Sequence, residues 1–519
     1  MFLHLRRSGK NSVLKITIHR ICEALIIFFV PLLAFAQLKD LSKYKDWNRY
    51  NKINQFYQLN NFRFGWMENK NAQNEFLGIL NLADSFGLNQ GDYQFQFFKT
   101  YNPSQDLKNL NDSIDADVRL TDAAIHFFSE LKFGNRIPSF GYTGLPYDPA
   151  SNDNIPSLLL TCLKGSLKNL IAAVEPKATE FISVLHRLNW FLKMVEDTNF
   201  EDAKITSKNV DETNRPLLLR LYQLGITDTV LKTKDRKIII EKLKKAQSFF
   251  DLLNDGTLRS TALAALNIPL KQRIEELRIA LNYLRWTEQI KQTSSVLLLN
   301  IPSAYFMVYD KGKIVLDSKV IVGKPSTPTP TLTSTITQVI LYPFWNVPYK
   351  IATKELLPSI KRSIEFLESG SYQVLNNEGK VLDPYKINWK NLSANYFPYH
   401  IRQSTGCDNA LGIVKFEFYN PFTVYLHDTP SKGLFSFSKR YFSHGCMRVE
   451  KPVELAHLLL GSNRIAIDTL TTKGCLYQQA PKPLAVEKEL PVIILYSTVW
   501  YNKEGEIKFY DDVYGKLNR

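Results

Sequence analysis

The sequence predicts an α+β multidomain chain, helical over its first half and mainly β over its second. Three observations carry this. From Gln37 to Trp286 the apolar residues recur at helical spacing. At about Ser294 the period switches to two. A polar, helix-tending interval over 349–400 then separates strands of the same region and reads as a helical lid insertion. At 519 residues the chain is too long for one core, so several domains are expected.

In the first half, Phe76, Leu77, Ile79, Leu80 and Ala83 place a helix over 74–86, stopped by Gly87. Thr121-Asp122 is expected to cap a helix carrying Ala124, Ile125, Phe128 and Leu131. A further helix runs from Pro176 to Phe191, and the aromatics Phe56, Tyr57, Phe62, Phe64 and Trp66 read as core. From 216 a second helical block follows. It has faces at Leu217–Leu224 and Ile238–Phe250, a turn at Asp255-Gly256, and helices over 261–266 and 269–286. Strands are expected at 296–301, 304–309, 313–322, 338–342, 413–419 and 422–426, with a closing hairpin over 492–501 and 507–510 after a charged linker at 487–489. The expected boundaries are therefore 1–36, 37–215, 216–290, 294–476 and a C-terminal extension over 477–519.

The formal net charge is +15, to which the first 36 residues add five basic side chains against Glu23. A basic surface suits nucleic acid, anionic headgroups or an acidic wall polymer. The N-terminus narrows this, because basic residues up to Arg20, an apolar run over 24–36 and Ala34-Phe35-Ala36 have the layout of a secretory signal peptide. The alternative is an uncleaved membrane anchor, although the run is short for a bilayer span. Export to the periplasm or cell envelope is expected, and it makes nucleic acid a poor partner. The five cysteines (22, 162, 407, 446 and 475) form no metal-ligand spacing and imply no full disulfide framework.

The chemistry concentrates in Ser443-His444-Gly445-Cys446-Met447-Arg448. A thiol in a glycine turn beside an arginine reads as a nucleophile held ready as thiolate. Upstream, Phe422, Val424 and Leu426 face one way, and Thr423, Tyr425 and His427 face the other. His427 thus ends a strand on the polar face, placed to take the thiol proton. Its second ring nitrogen needs a partner, and the Asp428 carbonyl and the Asp428 carboxylate are both candidates. The amides near Gly445 and Cys446 are positioned to meet an oxyanion. Arg448 suits a substrate carboxylate or a lowered thiol pKa. A zinc site from His427, His444 and Cys446 would lack an evident fourth ligand.

These residues resemble the signature of the YkuD-type L,D-transpeptidase catalytic domain. The resemblance continues through Asn300-Ile301-Pro302, Val322-Gly323-Lys324-Pro325, Trp345-Asn346-Val347-Pro348, Asn409-Ala410-Leu411-Gly412, Val414-Lys415-Phe416 and Leu426-His427-Asp428-Thr429-Pro430, covering roughly 294–461. The helical part resembles the scaffold and peptidoglycan-binding-like regions of the large multidomain branch, most clearly at Ala262–Asn267 and Gln272–Glu275. It departs from the wall-binding pattern at Arg259-Ser260, which replace a glycine and a proline.

The resemblance implies a YkuD-like sandwich and a two-step acyl transfer on peptidoglycan stem peptides, giving 3→3 crosslinks, with no metal or organic cofactor. It implies Cys446 as nucleophile, His427 as proton donor and acceptor, Asp428 as the carbonyl orienting His427, and Gly445 in the oxyanion hole. Ser443, His444, Arg448, Tyr425 and Trp345 become substrate-binding residues. Stem peptides are the expected partner, with glycan strands as a second one. The alternatives are an L,D-carboxypeptidase, in which water replaces the acceptor amine, and a non-catalytic wall-binding scaffold. A papain-like order would put cysteine before histidine, and a sortase would want a wider interval between them.

Overall fold

The structure, a computed structural model, describes residues 38–517 apart from 101–108, 152, 462–466, 469–475 and 478. The expected signal segment 1–36 and Cys475 lie outside the described residues. The chain divides into two units. The first comprises the described residues up to 137, with 149–181 and 284–286, and the second comprises 138–148, 182–283 and the rest from 287.

In the first unit, α1 (Tyr50–Leu59), α2 (Lys70–Asn81), α3 (Leu110–Phe133), α4 (Ile155–Leu163) and α5 (Leu167–Val174) share one core. Phe56, Tyr57 and Trp66 are buried in that core, and Phe62 and Phe64 pack against it. The long α3 starts earlier than its sequence suggested. Asn109 caps it, accepting from the Asp112 N–H at 3.0 Å. Thr121 and Asp122 are therefore interior, not caps. Thr121 Oγ1 accepts from Trp66 Nε1 at 3.0 Å, and Asp122 pairs with Arg49 at 2.7 Å. A polar pair that looked like a helix start is instead a pair of buried acceptors, and local pattern cannot tell these apart.

In the second unit, α6 (Arg215–Gln223), α7 (Arg236–Phe249), α8 (Ser260–Leu266) and α9 (Leu270–Thr293) follow the helical pattern, with Leu217, Leu221, Ile239, Leu243, Leu277 and Leu281 buried. Among the described residues the main sheet has ten strands, eight of which carry its path: β1 (Ser295–Asn300), β2 (Tyr305–Asp310), β3 (Lys313–Gly323), β4 (Leu332–Leu341), β5 (Val414–Phe418), β6 (Leu426–His427), β7 (Met447–Val449) and β8 (Lys482–Leu495); the short strands Tyr142–Thr143 and Tyr441–Ser443 add to β4 and β3. The order of the eight is β4-β5-β6-β7-β3-β2-β1-β8, and β8 also pairs with β4, so the sheet closes on itself. Alternate residues line one core: Leu297, Leu299, Phe306, Val308, Val320, Val322, Val339, Phe416, Leu426, Met447 and Val449. The helix α10 (Pro452–Leu460) contributes Leu455, Leu459 and Leu460 to it.

Two sequence expectations shift here. The strand expected over 422–426 is reduced to Leu426–His427. Asn420 captures the segment instead, accepting from the Phe422 and Val424 N–H groups and donating to the Phe418 and Val424 carbonyls, while Thr423 sits at φ 55°. The charged 487–489 segment, expected as a linker, lies inside β8. It coincides with the register break between Ala485 and Leu490, where pairing to β4 lapses. The closing hairpin is shorter, Val499–Tyr501 with Ile507–Phe509, and Phe509 packs on Phe249 and Phe250.

The insertion between β4 and β5 has its own core of Val347, Leu356, Leu357, Ile360, Trp389, Phe397 and Ile401. Besides short helices it carries a four-stranded antiparallel sheet over 345–346, 372–375, 381–382 and 400–403. Its polar sequence had concealed those strands, since each is only two to four residues long.

Candidate active site

The polar face of β5, β6 and β7 gathers most of the predicted residues. In the register, Lys415 lies opposite His427 across the antiparallel β5/β6 pair, and His427 lies beside Arg448 across the parallel β6/β7 pair. Successive side chains alternate, so the apolar neighbours Phe416, Leu426, Met447 and Val449 enter the core. Lys415, Glu417, Tyr425, His427, Cys446 and Arg448 are left on the other face. Cys446 immediately precedes β7, and the Met447 N–H donates to the Tyr425 carbonyl at 3.0 Å, which fixes the thiol's height beside Tyr425.

His427 is buried, and its Nδ1 lies 2.5 Å from the Asp428 carbonyl oxygen. A carbonyl can only accept, so Nδ1 carries the proton and Nε2 keeps the lone pair. Burial, and then the nearby Arg448 charge, push the imidazole down to about 3, so it is neutral at neutral pH. Of the two partners left open by the sequence, the carbonyl is the one in contact. The Asp428 carboxylate is used elsewhere: Oδ2 accepts from the Ile413 N–H at 3.0 Å, and Oδ1 pairs with Lys432.

Cys446 is a half-buried free thiol. Burial pushes it up, while hydrogen bonding from Tyr425 and the charges of Lys415 and Arg448 pull it back. Tyr425 is held above the ordinary phenol value by burial and then by the adjacent thiol. Its ring lies 5.7 Å from that of His427. Arg448 is half-buried, with no carboxylate paired to it among the described residues, so its charge is available to a ligand.

The turn itself is heavily braced. Ser443 Oγ donates to the Cys446 carbonyl at 2.6 Å and accepts from the Gly445 N–H at 3.2 Å. The Gly445 amide, expected in an oxyanion hole, is thus engaged inside the turn. The Cys446 amide has no acceptor among the described residues. Gly445 sits at φ 119°, a conformation that a side chain would strain. Thr329 Oγ1 donates to the Gly445 carbonyl at 2.8 Å and accepts from the Gly323 N–H at 2.9 Å. Tyr514 donates to the Gly323 carbonyl at 2.6 Å. At Gly323 a Cβ would meet the Thr327 carbonyl oxygen at 2.2 Å, so only glycine lets the two loops close together. Ahead of the turn, Arg440 donates to the carbonyls of Phe437, Ser438, Ser303, Ala304 and Val320, pinning the strand Tyr441–Ser443 beside β3.

His444 turns away from the polar face. Its Nε2 lies 2.8 Å from Glu355 of the insertion and 3.4 Å from Lys324. Trp345 lies in the small sheet of the insertion, paired opposite Gln403, with its ring 6.5 Å from Tyr372. Lys415 and Lys324 entered the sequence reading only within the segments Val414-Lys415-Phe416 and Val322-Gly323-Lys324-Pro325, not as site residues, and Glu417 and Glu355 did not enter it by name. For Lys415 and Glu417 a signal existed, since they alternate with buried Val414, Phe416 and Phe418 and share the face of His427. Glu355 gave none, because its approach to His444 is a tertiary contact. Among the described residues, no group of three or more His, Cys, Asp and Glu is gathered as a metal site.

Comparison of the sequence with known proteins matches parts of the chain to known domain families. The profile of the L,D-transpeptidase catalytic domain, YkuD, matches residues 294–485, and that of a scaffold domain matches 51–188. Residues 294–485 are a YkuD-type L,D-transpeptidase catalytic domain. A protein of Haemophilus influenzae named "Putative L,D-transpeptidase" is 38% identical over 220 residues, which is 42% of this chain and 44% of that protein. The chain thus spans under half the length of that curated relative. Among solved structures, an L,D-transpeptidase from Mycobacterium smegmatis is 15% identical, covering 39% of this chain and 58% of its own, with a TM-score of 0.19. The catalytic domain of the Enterococcus faecium L,D-transpeptidase is 14% identical, covering 39% and 97%, with a TM-score of 0.17. Scores this low do not establish a shared fold. The YkuD assignment rests on the sequence matches. No described helix is long and apolar enough to cross a membrane.

Proposed function

We propose that this protein is a cysteine-nucleophile L,D-transpeptidase that forms 3→3 crosslinks between peptidoglycan stem peptides outside the cytoplasm. The observation that carries the reading is the neutral His427, held at Nδ1 by the Asp428 carbonyl on the face that holds Tyr425 and Cys446. A neutral imidazole with Nε2 unprotonated is the form that accepts a thiol proton.

In this mechanism Cys446 Sγ attacks the carbonyl of the third residue of a tetrapeptide donor as its proton passes to His427 Nε2. The Cys446 amide meets the oxyanion. The C–N bond to the terminal D-alanine breaks, and His427 returns the proton to the leaving amine. The thioester is then attacked by the side-chain amine of a second stem, with His427 taking and returning the second proton, and the thiol is regenerated. Arg448, with no carboxylate paired to it among the described residues, suits a carboxylate of the stem. Ser443 holds the turn, and Tyr425 steadies the thiolate. His444 and Trp345 are assigned to the substrate side, at the insertion that would close over the donor.

Intact mass after carbapenem treatment tests this. The parent gains one adduct and Cys446→Ala gains none. Absence of an adduct on the parent, or an equal adduct on the variant, overturns the assignment and favours a non-catalytic scaffold. Incubation with disaccharide-tetrapeptides then separates the two activities. Crosslinked dimers support transfer, and tripeptide products alone establish an L,D-carboxypeptidase.

A further inference from the structure

We propose that Lys415 is a positioning residue that favours the thiolate of Cys446 through the Tyr425 phenol, with Glu417 as its counter-charge. The inference rests on the reading of Cys446 as nucleophile and adds two residues to that site.

The geometry begins in the strand register. Lys415 pairs with His427 across β5/β6, so its side chain shares the polar face. Its Nζ lies over the Tyr425 ring, 4.2 Å from the centroid, and its side chain is only 17% exposed. A lysine with nothing to do but solvate the sheet would extend into water. This one is folded back onto a phenol and ion-paired to Glu417, two residues along the same strand face. Tyr425 and Cys446 are set side by side by the Met447 N–H donating to the Tyr425 carbonyl at 3.0 Å, and phenol and thiol each perturb the other. The ammonium is therefore seated on the ring of the phenol that neighbours the sulfur.

A cation over the ring draws electron density from the phenol oxygen and makes its O–H a better donor to a sulfur anion. The same charge also acts directly on the thiolate. The groups facing Cys446 can be enumerated. Among the described residues, His427 comes from β6 and Tyr425 from the position two before it, and Lys415 and Glu417 come from β5. Arg448 and His444 flank the cysteine, Lys324 and Glu355 reach it only by way of His444, and Asp428 is turned to Lys432. Among the described residues, Lys415 and Arg448 are cations whose charges act on the sulfur, and they also oppose a charged imidazole. After proton transfer this bias favours moving the proton onward from His427 Nε2 to the leaving amine.

The test is the pH profile of iodoacetamide alkylation at Cys446 in the full chain, read by peptide mass so that Cys162 is scored separately. Lys415→Met should shift the Cys446 profile to higher pH and slow alkylation several-fold at neutral pH. Lys415→Arg should restore it. Glu417→Gln, which removes the counter-charge, should move the profile to lower pH. A Lys415→Met profile that superimposes on the parent overturns the inference, and so does a Glu417→Gln shift to higher pH. If Lys415→Met does not fold, the Glu417→Gln direction decides alone. Carbapenem adduct formation on the parent is scored in parallel. No adduct with shifted profiles sinks the nucleophile reading and leaves the coupling standing. An adduct with unshifted profiles does the reverse.

Discussion

The buried imidazole makes a quantitative prediction about acid stability. His427 is held down to about 3 in the fold, against an ordinary value of 6.5. The folded state therefore binds fewer protons than the unfolded chain between these values. Stability is complete above the unfolded value and is lost as pH falls through 6.5 toward 3. By pH 5 the loss from this one group is about 2 kcal/mol, taking 1.36 kcal/mol for each pH unit below 6.5. Glutamine cannot titrate, so His427→Gln should be less stable overall but should lack this acid limb. Urea midpoints measured at about pH 8 and about pH 5 supply the comparison. The parent should lose about 2 kcal/mol more than the variant between the two. Parallel losses would mean that the imidazole is not buried and neutral, and the general-base role would lose its physical basis.

Two further outcomes follow from the bracing of the turn. Thr329→Val keeps shape but strips the Gly445 carbonyl and the Gly323 N–H of a buried partner. It should cost about 2–4 kcal/mol and slow carbapenem acylation, while Thr329→Ser should recover both, as stopped-flow and urea titration would show. Asp428→Asn leaves the backbone carbonyl on His427 and weakens the pair of buried Asp428 with the half-exposed Lys432. Acylation should stay within a few-fold of the parent, with stability lower by about 1 kcal/mol or less. A loss of several orders of magnitude would instead make the carboxylate the orienting group.

What was legible in the sequence divides by range of interaction. The change of period at Ser294 located the strands, because alternation is written into neighbouring residues such as Val414, Lys415 and Phe416. The motif pointed to Cys446 and His427, since their residue types and spacing bear directly on the chemistry. Thr121-Asp122 misled because a buried acceptor pair and a helix cap use the same side chains. The 422–426 strand failed because Asn420 outbid the sheet for the local backbone. The charges at 487–489 hid a strand because they coincide with a register break. Glu355 against His444, and Tyr514 against Gly323, join positions far apart in the chain, and no periodicity records such contacts.

One pairing seen in the sheet bears on how the protein can be cut. Residues 138–148 belong to the second unit, and there Tyr142–Thr143 runs parallel to Leu332–Thr333 of β4, flanked by the Gly141 and Gly144 amides donating to the Thr331 and Thr333 carbonyls. A fragment begun at 294 would carry the whole family signature and still lack this strand. It would present a bare β edge at 331–333, ready to recruit another chain. The boundary drawn by motif is thus not the boundary of the folding unit, and self-association of an excised fragment would report the missing strand.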